Sequence, residues 1–109
     1  MAKYLLIESK GPLNGGDHSF ELGRQLREQQ HDVTIYLLQD AVFAARTSMA
    51  VGQRLLGDAK KYGLSLVADG VALRERGISG GHVAKDVRVS DMNELVDLLM
   101  DRSDKAIWH

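Results

Sequence analysis

The fold is indicated by residues 3–38, which read KYLLIESKGPLNGGDHSFELGRQLREQQHDVTIYLL. Two short apolar runs, at 3–8 and 32–38, enclose a glycine-rich loop and a helical pattern over 17–30. In the first run the apolar residues are contiguous, which is typical of a strand buried on both faces. Because a strand, a helix and a second strand follow one another with short connections, this segment predicts a right-handed βαβ unit with parallel strands.

The same alternation continues through the rest of the chain. We expect a helical stretch from Asp40 to about Tyr62, broken near Gly52, and then a third strand at 64–68. The later elements are a short helix at 71–76, a loop at 78–85, a strand at 86–89, a helix capped by Ser90 or Asp91, and a strand at 105–108. The predicted inward face of the last helix consists of Met92, Leu95, Val96 and Leu99. This order predicts a single α/β domain over 1–109, with three α/β/α layers and a mostly parallel five-stranded sheet.

The composition is that of a folded protein and excludes several classes of partner. Hydrophobic residues make up 44% and charged residues 27% of the 109 residues, which is too apolar for intrinsic disorder. The net charge is −1 and no long run of like charges occurs, so neither nucleic acid nor a membrane is expected as a partner. The first apolar run is too short for a signal peptide, and a cytoplasmic protein is expected.

The sequence contains no cysteine. This excludes disulfides, thiolate metal sites and cysteine nucleophiles. None of the four histidines has the close spacing of a metal-binding pair, and we expect neither a metal nor a cofactor. His31 is predicted to lie in a turn, and His109 is the last residue of the sequence.

Several stretches resemble one family of sulfur-relay proteins. Residues 64–78, LSLVADGVALRERGI, resemble the strand, turn and Ala-Leu-Arg-Arg-Gly helix that DsrE and TusD subunits place around their sulfur-carrying cysteine. Residues 36–42, YLLQDAV, and residues 101–108, DRSDKAIW, resemble a strand-to-helix turn and the terminal strand of the same proteins. Together with the opening strand and its Gly/Asn loop, these stretches resemble the DsrE/DsrF-like family, including its YchN-like and TusD-like members.

The resemblance implies a sulfur-relay protein, but one that lacks the reactive thiol of the family. It aligns the family's cysteine with Asp69 or with Ala68, and neither is a thiol. Family members assemble as trimers and hexamers, some with subunits that lack the active cysteine. We therefore expect a non-catalytic subunit or binding module of sulfur relay, working as a homo-oligomer or with sulfur-transfer proteins. Trp108 is expected at the oligomer interface, because the last strand would otherwise expose it. The alternative is a small-molecule-binding enzyme or sensor that uses Asp69 with His18 or His82.

Open parallel sheets bind ligands beyond the carboxyl ends of their strands. The residues predicted to line a pocket there are Asn14, Gly15, Gly16, Asp40, Asp69 and Gly70. For Asp69 there are two interpretations: a cap for the helix that begins at Gly70, or a general base. The glycine-rich loop offers amide groups to an anion such as phosphate, but it lacks the Lys-Ser/Thr of a P-loop. Asp17, the predicted cap of the first helix, would also repel an anion.

Overall fold

Five strands alternate with helices along the chain. A computed structural model describes all of residues 1–109. The strands are β1 (Lys3–Glu8), β2 (Asp32–Leu37), β3 (Ser65–Asp69), β4 (Val87–Ser90) and β5 (Lys105–Trp108). The α-helices are α1 (His18–Glu28), α2 (Ala50–Tyr62), α3 (Gly70–Glu75) and α4 (Met92–Met100), and two 3-10 helices span Gln39–Ala45 and Gly80–His82. None of the helices has the length and apolar character needed to cross a membrane.

All five strands are parallel and form one sheet in the order β4-β3-β2-β1-β5. The first three crossovers move from β1 towards β4, and the last one, through α4, returns to the other side of β1. The winding therefore changes direction between β1 and β5, where Ile7 lies opposite Trp108. In sheets of this kind, the crevice beyond the carboxyl ends at such a switch point is where ligands bind.

Helices cover both faces of the sheet. The larger core lies under α1, α2, α3 and the 39–45 helix, and Leu6 of β1 points into it. The smaller core lies under α4, which contributes Leu95 and Leu98, and Leu5 of β1 points into that side. Because successive strand residues point to opposite faces, covering both faces buries the contiguous apolar run of β1. The predicted three-layer α/β/α architecture is confirmed.

The predicted inward face of α4 is wrong at three positions. The buried residues of this helix are Leu95 and Leu98, whereas Met92 and Val96 are 50% and 51% exposed and Leu99 is exposed as well. Apolar residues occur on two sides of α4, so helical periodicity alone is compatible with either side facing inward. A single helix can turn only one of these sides to the sheet, and the other remains on the surface.

The predicted break near Gly52 lies instead at 46–49, between the 39–45 helix and α2. Gly52 is buried inside α2. A Cβ atom at this position would lie only 2.6 Å from the carbonyl oxygen of Ala44. The glycine therefore allows two helices to approach each other closely, whereas the sequence pattern indicated a helix break.

Candidate functional site

Asp69 ends β3 and caps α3. It is 3% exposed. Its Oδ2 accepts a hydrogen bond from the N–H of Ala72 at 2.9 Å, and its Oδ1 accepts one from the hydroxyl of Tyr36 at 2.8 Å. Burial, and after it the hydrogen bond to Asp69, raises the pKa of Tyr36, so the phenol remains protonated and donates. The capping role predicted for Asp69 is confirmed.

The structure does not bring Asp69 together with the predicted histidines. Neither His18 nor His82 forms a hydrogen bond with its carboxylate, whose two oxygens have other partners. His82 lies exposed on the second 3-10 helix, and His18 begins α1. Ala68 and Gly70, on either side of Asp69, are buried. Ala68 and Asp69 are therefore enclosed by their own packing, whereas Gly70 lines a cavity of about 330 Å³ together with Leu73, Ile78 and Val83.

Asn14 and Asp40, two other predicted pocket residues, do lie together. They line a cavity of about 140 Å³ between the glycine-rich loop and the 39–45 helix. Asp40 accepts hydrogen bonds from Nη2 and Nε of Arg76 at 2.9 and 3.0 Å. The cavity is smaller than the roughly 300 Å³ at which ligand pockets begin, so it suits only a very small molecule.

A buried carboxylate that the sequence patterns did not single out ends β1. Glu8 is 0% exposed. Its Oε1 accepts hydrogen bonds from the hydroxyl and the N–H of Ser19 at 2.9 and 3.3 Å, and its Oε2 accepts one from the N–H of Lys10 at 3.1 Å. Nδ1 of His109 lies 3.0 Å from both oxygens. Glu8 thus caps α1 in place of Asp17, whose side chain makes no capping hydrogen bond. The cap predicted at Asp17 was wrong.

The start of α1 has few free amides to offer an anion. Amide groups that already have acceptors within the chain are those of Lys10, Asn14, Gly16, His18 and Ser19. Gly16 is buried, and a Cβ atom there would lie 2.0 Å from the carbonyl oxygen of Lys10. Gly15 is exposed, with a φ of 94°. The geometry therefore does not favour the interpretation of this loop as a phosphate-binding loop.

His109 and His18 form the exposed part of the Glu8 cluster. Their ring centroids are 4.2 Å apart. The N–H of His109 donates to the carbonyl oxygen of Ile7 at 2.8 Å, which extends the pairing of β5 with β1 beyond the strand. The His109 side chain is 28% exposed. His18, a predicted site residue, therefore contacts this cluster and not Asp69.

The sequence contains a signal for this cluster, but only when the strand order is known. Glu8 directly follows a buried apolar run, and His109 directly follows the last strand. Residues at the carboxyl ends of two adjacent parallel strands lie side by side. The alternation of strands and helices does not determine which strand the last one joins, and so this pair was missed.

Glu94 of α4 forms a second charged cluster, next to β4. Its carboxylate pairs with Arg88 and, at 3.4 Å, with Arg102. The N–H of Glu94 donates to the Asp91 carboxylate, which confirms Asp91 as the cap of α4. The hydrogen bond from Arg88, followed by that from Ser90, lowers the pKa of Glu94 to about 2. Because its pKa is lowered in the folded state, the ionised Glu94 stabilises the fold at pH values above its ordinary pKa of 4.5. This contribution is lost as the pH falls towards about 2.

We expect Glu94→Gln to lower the free energy of unfolding by about 1 kcal/mol at neutral pH, a modest value because solvent screens a partly exposed carboxylate. The difference from wild type should shrink as the pH falls from about 5 to about 3. Urea unfolding followed by circular dichroism measures it. The control is Glu75→Gln, at an exposed position of α3. A Glu94→Gln effect of constant size over this range would contradict a role for the ionised carboxylate.

The chain is similar to other proteins in sequence and in fold. The sequence profile of the DsrE/DsrF-like family matches residues 2–108. No curated protein matches the chain at a significant level. Among solved structures, the YchN protein from E. coli has a TM-score of 0.89 at 22% identity and covers 100% of both chains. A protein of unknown function from Methanobacterium thermoautotrophicum, MTH1491, has a TM-score of 0.69 at 13% identity, over 98% of this chain and 96% of its own. Both structures share their fold with this chain.

Proposed function

The chain belongs to the DsrE/DsrF-like family, and on that premise we propose that it is a subunit or binding module of sulfur relay that carries no sulfur itself. Its task is to assemble with other copies and with cysteine-bearing sulfur-transfer proteins. The cytoplasm, where the sequence leads us to expect this protein, is part of the same proposal.

The observation that carries the proposal is the burial of Ala68 and Asp69 at the end of β3. The family resemblance aligns the sulfur-carrying cysteine with Ala68 or Asp69. Ala68 is fully buried, and Asp69 is buried with both carboxylate oxygens hydrogen-bonded within the chain. Neither residue offers an exposed nucleophile, and the sequence has no thiol elsewhere. A role in holding and orienting partners fits this arrangement better than a transfer step.

The second support is apolar surface on one side of the molecule. Met92, Val96 and Leu99 form a stripe on the outer side of α4, and Trp108 on the edge strand β5 is 61% exposed. Trp108 lies opposite Ile7, which points to the α4 side of the sheet, and paired residues of parallel strands point the same way. Exposed apolar patches of this kind mark protein–protein contacts. We propose that this side is buried in a homo-oligomer, a trimer or a hexamer.

The alternative function, a small-molecule enzyme or sensor built on Asp69 and a histidine, has less support. The carboxylate of Asp69 is occupied by Tyr36 and by the start of α3, and no histidine contacts it. The assembling subunit is therefore the function that the geometry supports best.

Affinity capture from the native cell tests this proposal. We expect the wild-type chain to retain a cysteine-bearing sulfur-transfer protein, identified by mass spectrometry, and Val96→Asp to lose it, because a charge buried in the contact between copies would break up the oligomer that binds the partner. Asn93→Asp puts the same charge at an exposed polar position of α4 and should retain the partner. Recovery of no sulfur-transfer protein with the wild-type chain would overturn the proposal.

A further inference from the structure

We propose that Glu8 and His109 form a reactive imidazole site, in which Nε2 of His109 acts as a base towards a small uncharged proton donor that reaches it from the surface beyond the ends of β1 and β5. This site is separate from the end of β3, and it does not depend on the proposed role in sulfur relay. It rests on the position of the pair in the fold, on the direction of its hydrogen bonds and on its exposure.

The position of the pair is that of a ligand site in this class of fold. β1 and β5 are the strands between which the winding of the sheet changes direction, and ligands bind at that point beyond the carboxyl ends. Glu8 is the last residue of β1, and His109 directly follows β5. The backbone of His109 is fixed on both sides, because its N–H donates to Ile7 and its carbonyl oxygen accepts from the N–H of Ser9 at 2.9 Å.

The hydrogen bonds of Glu8 determine where the ring of His109 carries its proton. The other three groups that contact the carboxylate are the two donors of Ser19 and the N–H of Lys10. An ionised carboxylate can only accept, so Nδ1 of His109 is the donor in the fourth contact. This assignment follows from the partner and leaves the lone pair of neutral His109 on Nε2. A carboxylate that holds Nδ1–H in this way orients the ring and fixes its tautomer, with Nε2 as the free acceptor.

The exposed parts of the ring allow access from one side. Glu8 lies beneath Nδ1 and is fully buried, while the side chain of His109 is 28% exposed. His18 packs against the ring with centroids 4.2 Å apart, and Gly15 lies across from it without a side chain. No hydrogen bond within the chain involves Nε2. A small molecule can therefore reach this atom.

The surrounding groups favour a ligand without net charge. The carboxylate of Glu8 lies beneath the ring, and the side chain of Lys10 lies near it, since a Cβ atom on Gly15 would be 3.9 Å from both Lys10 Cδ and His109 Cε1. These opposite charges favour neither an anion nor a cation, and the amides of His18 and Ser19 already have acceptors. A neutral molecule with a hydrogen to donate would find the lone pair of Nε2.

Acylation by diethyl pyrocarbonate, followed by peptide mass spectrometry, tests the site in the intact protein. Nε2 attacks a carbonyl carbon of the reagent, so that an N–C bond forms and the C–O bond to the ethyl carbonate group breaks. The ring then loses its Nδ1 proton, and the departing ethyl carbonate takes up a proton and splits into carbon dioxide and ethanol. The four histidines of one sample report their rates separately, so His82, which is exposed and outside the cluster, is an internal standard.

We expect His109 to react about tenfold faster than His82, although it is the less exposed of the two, because Glu8 activates its ring. Glu8→Gln should lower the rate at His109 about tenfold and leave the rate at His82 unchanged. Inorganic phosphate should not protect His109. Rates that simply follow exposure, with His109 slower than His82, would overturn the proposal, and this wild-type comparison holds even if the variant fails to fold. Protection by phosphate would overturn the proposed class of ligand.

Discussion

Replacing Asp69 with alanine is expected to lower the free energy of unfolding by about 3 kcal/mol. Two losses add up in this variant. The start of α3 loses its side-chain cap, which costs about 1 kcal/mol, and the buried hydroxyl of Tyr36 loses its acceptor, which costs about 1–3 kcal/mol. Urea unfolding at neutral pH, followed by circular dichroism, measures the change.

Two further variants identify the source of this loss. Tyr36→Phe removes only the hydroxyl, and we expect a loss of about 1–2 kcal/mol because Oδ1 of Asp69 remains buried without its donor. The double variant should lose less than the sum of the two single losses, because both remove the same hydrogen bond. Asp58→Ala, at an exposed position of α2, should change stability by no more than about 0.5 kcal/mol. An Asp69→Ala loss as small as this would contradict the structural role of Asp69.

Gly52→Ala is expected to have the second large effect, a loss of about 2 kcal/mol. The added Cβ atom would lie 2.6 Å from the carbonyl oxygen of Ala44 and 3.1 Å from its Cα atom. These are backbone atoms, so the 39–45 helix would have to move as a whole. Urea unfolding compares the variant with wild type.

Gly57, in the same helix, provides a matched control. No atom lies within 4 Å of the position that its Cβ would take. Gly57→Ala should therefore raise the free energy of unfolding by about 0.5–1 kcal/mol, through helix propensity alone. If both alanine variants stabilised the protein, the close contact between Gly52 and the 39–45 helix would be contradicted.

Two buried carboxylates end strands of this sheet, and their surroundings give them different uses. Asp69 is enclosed by Tyr36 and by the first turn of α3, and both of its carboxylate oxygens accept hydrogen bonds within the core. Glu8 is equally buried, but one of its partners is the half-buried ring of His109. The hydrogen bonds of Asp69 therefore stabilise the fold, whereas those of Glu8 also orient a ring that solvent can reach.

The sequence predicts the parts of this fold that depend on neighbouring residues along the chain. The contiguous apolar run in β1 requires cover on both faces, and the structure has it. The cap at Asp69 follows from a carboxylate placed directly before a helix. The strand order and the position of the last strand cannot be predicted in this way, because they depend on which crossover returns past β1.

The features that sequence patterns missed depend on contacts between distant segments. Glu8 and His109 are 101 positions apart and meet only because β5 joins β1. Gly52 fits a helix break as well as a close contact, and only the position of Ala44 distinguishes the two. Helix α4 has apolar residues on two sides, of which only one can face the sheet. Helical periodicity is the same for both sides and does not show which one is buried.

The measurement that tests the proposed assembling subunit most directly is the mass of the protein in solution. Sedimentation velocity at micromolar concentration should give three or six times the chain mass of 12.0 kDa. Trp108→Ala should shift the protein towards lower mass, because tryptophan anchors contribute strongly to interfaces. A wild-type protein that sediments as a single 12.0 kDa chain would contradict the account.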